Sequence, residues 1–235
     1  MKALLAVLAI LACTANSQER ERHALGELEY AAGPSSVLIA APHGTFDANT
    51  APIAIGAARR VGAGYVVAWR FVTDKIRINV NRPTEGAFLP CAQEARSDRA
   101  QSVYDIYAGT VQKAAAGNPL RRYVEIHGNS NPKTANTIEV ATVGFSGAEV
   151  QAVKEAYPAM LATVRESLPD FPGLALLIEP ADPIIYTAAC AKKLGVLSRV
   201  PRGVHFEFPR SARERNTVPG AAMIVAQTVR RLEEK

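Results

Sequence analysis

The chain has 235 residues, 48% hydrophobic and 21% charged, with a formal net charge of +5. That is enough to bury one full core, and the composition is globular, so a single domain is expected. The modest charge, with no basic stripe interleaved with stacking aromatics, argues against nucleic acid as a partner, and no internal repeat or low-complexity tract points to a solenoid or a disordered array.

Residues 1–15, MKALLAVLAILACTA, combine one lysine, a short apolar run and small residues at the end. This is the pattern of a secretory signal, too short to span a bilayer. Two processing routes fit it: cleavage near Ala15, or lipoprotein processing that leaves Cys13 acylated. Either predicts export, to the periplasm or to a lipid anchor in a bacterial envelope, with a lipid on Cys13 as the only membrane contact. Residues 16–34 are polar and charged and read as a tether or lead-in, and 35–235 as the folded domain. With Cys13 removed or acylated, Cys91 and Cys190 remain as a pair. In an oxidising compartment they are expected to form a disulfide, the alternative being two separate thiols.

Ser36 to Ala41 reads as a strand that ends on Pro42, His43 and Gly44. A helix is predicted over 48–61, stopped by Gly62 to Gly64. VGAGYVV holds a lone GxG without the third glycine of a dinucleotide loop, so nucleotide binding is discounted. Residues 65–72 form the next strand. RINVNRP follows, with Arg77, Asn79 and Asn81 on one face if it is extended. A helix is expected over 95–117, then the strand YVEIHGNS, Tyr123 to Ser130. Here Val124 and Ile126 face a core while Tyr123, Glu125 and His127 share the other side. Strand 137–143, helix 147–168 interrupted at Pro158, strand 174–178 and a helix over 182–194 follow. Strand 203–208 sets Val204, Phe206 and Phe208 opposite His205 and Glu207, and a helix over 219–234 closes the chain. The alternation predicts an α/β three-layer helix/sheet/helix domain with a mostly parallel or mixed sheet.

His43 and His127 both leave a strand end directly before a glycine, where open α/β sheets place their sites. Two imidazoles and one carboxylate, with a position left for water, are the composition of a hydrolytic Zn2+ site. Asp47, four residues beyond His43, is the first candidate for the third ligand; its other reading is a helix cap. Glu125 and His205 are the rivals, and Glu125 could instead orient His127 from behind. Glu207 reads either as a general base that passes a proton from water to a leaving nitrogen or as an ion-pair partner of Arg210 or Arg213. Asn81 and Arg82 form a short polar loop whose guanidinium suits a carboxylate. Tyr186, between apolar neighbours, is either an oxyanion donor or part of the core. Arg77 and Arg82 near one loop, and Arg202, Arg210 and Arg213 near another, point to a small anionic ligand.

PHGTFD, RINVNRP, VEIHG and HFEFPRSAR occur here in that order. Together they resemble the N-formylglutamate amidohydrolase-like proteins, relatives of zinc carboxypeptidases and aspartoacylases. The resemblance spans about Val37 to Arg213. It implies a zinc carboxypeptidase-like fold, His43 and His127 as zinc ligands, Asn81 and Arg82 as a substrate-carboxylate clamp helped by Arg77, and Glu207 as the catalytic glutamate. Glu125 stands where the family has aspartate. Carboxypeptidase relatives carry a glutamate three residues after the first histidine, where this chain has Phe46, with Asp47 one place later. The expected activity is an exported zinc-dependent hydrolase that cleaves an amide bond in a small carboxylate-bearing substrate, an N-acyl amino acid or peptide. Formylglutamate itself fits export poorly. The alternatives are an envelope peptidase or amidase acting on stem peptides or polyglutamate, and a non-catalytic carboxylate-binding protein on the same scaffold.

Overall fold

The computed structural model describes residues 17–71, 77–86 and 91–232. The signal expected over 1–15, with Cys13, lies outside the described residues. In chain order the described elements are β1 (Glu19–His23), β2 (Gly26–Ala31), β3 (Val37–Ala41), α1 (Thr50–Val61), β4 (Gly64–Trp69), β5 (Ile78–Asn79), β6 (Thr84–Glu85), α2 (Asp98–Ala114), β7 (Arg122–Gly128), β8 (Thr137–Val143), α3 (Gly147–Ser167), β9 (Ala175–Ile178), α4 (Ala189–Leu194), β10 (Arg202–Phe208) and α5 (Val218–Arg231).

Eight strands form one mixed sheet in the order β1-β2-β4-β3-β7-β10-β8-β9. Its centre, β4, β3, β7 and β10, is parallel, while β2 joins β4 and β8 joins β10 in antiparallel fashion. The parallel strands are runs such as VLIAA and RYVEIHG, buried almost throughout, as strands covered on both faces must be. One face packs Val124, Ile126, Val204, Phe206 and Phe208 against α1, α3 and α5. The other packs Leu38, Ala40 and Tyr123 against Tyr104 and Tyr107 of α2. Burying Phe206 and Phe208 completely contributes about 1.5–3 kcal/mol each. The domain is therefore the predicted three-layer α/β architecture. Local signals set the helix ends: Ser97 caps α2, Ser146 and Glu149 form a capping box at α3, and Gly62 in the left-handed region at φ 65° stops α1.

Four expectations are corrected. Residues 16–34 are not a tether over their length, because β1 and β2 pair in register from Glu19↔Tyr30 to His23↔Gly26 and form the edge of the main sheet. Their charges are satisfied within the hairpin and by its neighbours, Lys113 of α2 donating to Glu21 and Trp69 of β4 to Glu29. Arg20 bonds Glu27 and Glu29, and the Tyr30 hydroxyl donates to Glu19 and Glu21. α3 runs unbroken through Pro158, whose ring sits on the exposed face. The helix expected over 182–194 is confined to 189–194. The preceding segment is held open because Glu139 Oε2 accepts the backbone N–H groups of Ile185 and Tyr186. RINVNRP is extended only at Ile78–Asn79. Asn79 then donates to Thr84 Oγ1 and the Gly86 carbonyl and closes a tight β5–β6 ribbon.

Candidate metal centre and its pocket

Parallel pairing brings the carboxyl ends of β3, β7 and β10 to one edge. The register sets Ala40 beside Glu125, His205 beside Glu125, and Glu207 beside His127. His43 lies just past β3. The chain then makes one turn, with Asp47 N–H donating to the His43 carbonyl at 2.8 Å, which folds Asp47 back over the histidine. The glycines after both histidines are required by space. A Cβ on Gly44 would meet Val67 Cγ1 at 2.8 Å, and one on Gly128 would meet Arg213 Nε at 2.2 Å.

Three donors converge. His127 Nδ1 is 3.1 Å from His43 Nδ1, and Asp47 Oδ2 is 3.4 Å from each. A tetrahedral ion with bonds of 2.0–2.1 Å holds its ligands about 3.3 Å apart, so the triangle fits a zinc-sized cation. Of the three candidates for the third ligand, Asp47 is the one placed with both histidines at this point. Arg77 Nη2 donates to Asp47 Oδ1 at 3.0 Å and steadies the carboxylate from the side. Burial alone would raise the Asp47 pKa, but hydrogen bonds to His127 and His43, with the charge of Arg77, hold it well below the usual range.

His127 turns its other nitrogen, Nε2, towards Glu125 Oε2 at 3.3 Å. This is the carboxylate–histidine arrangement that fixes a ligand's ring and tautomer. Glu125 is fully buried, accepts two bonds from Asn81 Nδ2 at 3.1 and 3.0 Å, and meets His205 Nδ1 at 3.2 Å. His205 Nε2 is 3.3 Å from Glu207 Oε1, and the His205 ring stacks on His127 with centroids 4.2 Å apart. Glu125, His127 and His205 also lie close enough to be a second set of metal donors. Both nitrogens of His205 already meet carboxylates, so this set reads as a hydrogen-bonded chain running from His127 to Glu207.

These groups open into a cavity of about 440 Å³ lined on its polar side by His43, Asp47, Arg77, His127, His205 and Glu207. Glu207 is buried, and its Oε2 has no partner among the described residues. A buried carboxylate oxygen left unpaired is costly, which marks this atom as one that faces a ligand or water. Neither Arg210 nor Arg213 bonds it. Arg213 is buried and donates to the carbonyls of Phe208, Ala48 and Asn129, so it locks three loops together. Arg202 pairs with Glu149 instead of the pocket. Tyr186, read from sequence as core or oxyanion donor, is half-buried in the cavity wall, where burial raises its pKa.

The expected Asn81–Arg82 clamp takes a different form. Asn81 is fully buried and committed to Glu125. Arg82 does line the cavity, but Nε and Nη2 fork onto Glu94 at 2.7 and 2.5 Å, and Nη1 donates to Asn81 Oδ1. Sequence reasoning missed Glu94, and no local pattern marks it. The Cys91–Cys190 disulfide is formed, with Cα atoms 5.2 Å apart, and both cysteines line the same cavity.

No protein-family model matches this chain, and no curated protein does. Solved structures do. A bacteriophage poly-gamma-glutamate hydrolase is similar at 12% identity over 89% of this chain and 91% of its own, with a TM-score of 0.49. N-formylglutamate amidohydrolase from Ralstonia eutropha JMP134 is similar at 14% identity over 88% of this chain and 97% of its own, with a TM-score of 0.45. A metallo-carboxypeptidase from Burkholderia cenocepacia is similar at 14% identity over 86% of this chain and 60% of its own, with a TM-score of 0.43. These are likenesses of overall fold.

Proposed function

We propose that the chain is a zinc-dependent hydrolase that cleaves the amide C–N bond of an N-acyl amino acid or peptide outside the cytoplasm. The observation that carries this reading is the convergence of His43 Nδ1, His127 Nδ1 and Asp47 Oδ2 in one cavity with the unpartnered Glu207 Oε2. His43, Asp47 and His127 would hold the ion. When bound, zinc supplies Lewis acidity for a carbonyl oxygen and lowers the pKa of water.

The chain's own groups account for the remainder. Glu207 Oε2 takes the proton of the water whose oxygen attacks the carbonyl carbon. It then delivers that proton to the nitrogen as the C–N bond breaks, so the products are a carboxylic acid and an amine. His205, tied to Glu125, holds the other Glu207 oxygen and fixes the carboxylate's aim. Arg77 stands at the metal side of the cavity, where a substrate carboxylate or a developing oxyanion finds a cation. The N-terminal apolar stretch supports export, and an envelope peptide or acyl-amino acid suits that location.

The test is metal content of the purified protein beside His127→Ala, with hydrolysis of a panel of N-acyl amino acids and dipeptides. About one zinc per wild-type chain, lost in His127→Ala, is expected. Glu207→Gln is expected to keep the metal and lose at least ~100-fold in kcat. Unchanged turnover in Glu207→Gln would remove its assigned role. A wild type that takes up no zinc would leave a carboxylate-binding protein.

A further inference from the structure

The cavity contains an anion of its own where an arginine would otherwise receive one. Arg82 and Glu94 form a bidentate pair whose side chains are 12% and 2% exposed, both on the wall of the metal cavity. Thr84 Oγ1 adds a third bond to Glu94 at 2.6 Å, and Asn79 holds Thr84 in turn. Three residues before Glu94, Cys91 is bonded to Cys190 of α4, so the segment that presents the carboxylate is tied across the wall. Nε, Nη1 and Nη2 of Arg82 each have a protein acceptor. Planar two-point pairing is the strongest way an arginine binds a carboxylate, and Glu94 already satisfies it.

We infer that Glu94 is a specificity-determining residue. By filling the fork of Arg82 it excludes a free carboxylate from that wall, so the cavity selects substrates with an uncharged group there, such as the carboxamide of a capped or internal residue. This rests on the hydrolase reading above. The discrimination has two parts. An entering carboxylate finds the Nε/Nη2 edge of Arg82 already taken by Glu94, and it meets a guanidinium whose charge that carboxylate has neutralised. An amide meets neither obstacle.

The experiment pairs each N-acyl amino acid with its carboxamide and measures kcat/KM for both in the zinc-loaded wild type, Glu94→Gln and the double variant Glu94→Gln/Arg82→Gln, with thermal melting to check folding. Wild type is expected to prefer the carboxamide. Glu94→Gln, which frees the guanidinium charge, is expected to raise the acid-to-amide ratio at least tenfold, and the double variant to abolish that gain. A folded Glu94→Gln with an unchanged ratio overturns the inference, as does a wild type that prefers the acid to its carboxamide. If no pair is hydrolysed, the hydrolase reading fails separately. The selectivity is then read by calorimetric binding of glutarate against glutaramide to the same three proteins. A gain for glutarate in Glu94→Gln that disappears in the double variant supports the inference, and equal affinities in wild type and Glu94→Gln overturn it. If Glu94→Gln fails to fold, Glu94→Asp, which keeps the charge but shortens the fork, replaces it in both measurements, with a smaller rise in the acid-to-amide ratio expected and no rise counting against the inference.

Discussion

His127 commits both ring nitrogens, Nδ1 to Asp47 and His43 and Nε2 to Glu125. Burial alone would lower its pKa, but the hydrogen bonds to Asp47 and Glu125 and the charges of Glu125 and Glu207 outweigh it, raising the value from 6.5 to about 9. His43, beside it, is driven the other way by burial and by Arg77, so it stays neutral. At pH 7 the metal-free pair therefore carries one positive charge, the second ring proton of His127, and a metal must displace that proton. Zinc titrated into metal-free protein in two buffers of different ionisation enthalpy should release about one proton at pH 7. Apparent affinity should rise about tenfold per pH unit up to roughly 9. No proton release would show that His127 is already neutral. The sign for stability follows from the raised folded value. In the metal-free chain the stabilising contribution is complete below about 6.5 and is lost as the pH climbs through about 9.

At the scale of elements, the cavity has a rigid side and a tethered side. The rigid side is β3, β7 and β10, whose parallel register fixes the candidate metal donors and Glu207. The tethered side is the short 3-10 turn Cys91–Gln93 and α4, joined by the disulfide across 99 residues of sequence. A native disulfide typically stabilises by about 2–4 kcal/mol. Reduction, or Cys190→Ser, should lower the melting midpoint by roughly 5–15 °C at this chain length, with zinc stoichiometry unchanged because no metal donor lies on the tethered side. An unchanged midpoint would mean that packing of α4 alone holds the wall. The same division explains what could be read from sequence. Two strand ends were legible because apolar runs stop at His-Gly, the third because Val204, Phe206 and Phe208 alternate with His205 and Glu207, and Asp47 because one turn returns it to His43. The 183–188 segment was not, since it is held open by Glu139 from β8. Nor was Glu94, whose meaning lies in Arg82, twelve residues away across the β5–β6 ribbon.

Across the whole molecule, the sheet's order makes the N-terminal hairpin part of the domain's stability. β4 has the apolar sequence GYVVAW and pairs with β3 on one side and with β2 on the other. Beyond β2, the last strand is β1, ERERH, whose alternating charges suit an exposed edge that must not recruit other chains. The charges that made residues 16–34 read as a tether are therefore the charges of a guarded edge. Removing the hairpin uncovers β4, a long apolar strand with free backbone groups, and loses the burial of Leu28 and Tyr30, about 3–6 kcal/mol together. A chain beginning at Gly33, compared with one beginning at Ser17, should melt at least ~6 °C lower and sediment partly as aggregate at concentrations where the longer chain is dispersed. Because β3, β7 and β10 lie further inside the sheet, the soluble fraction of the shorter chain should still bind one zinc. Equal melting points and equal dispersion would show that β4 tolerates an open edge.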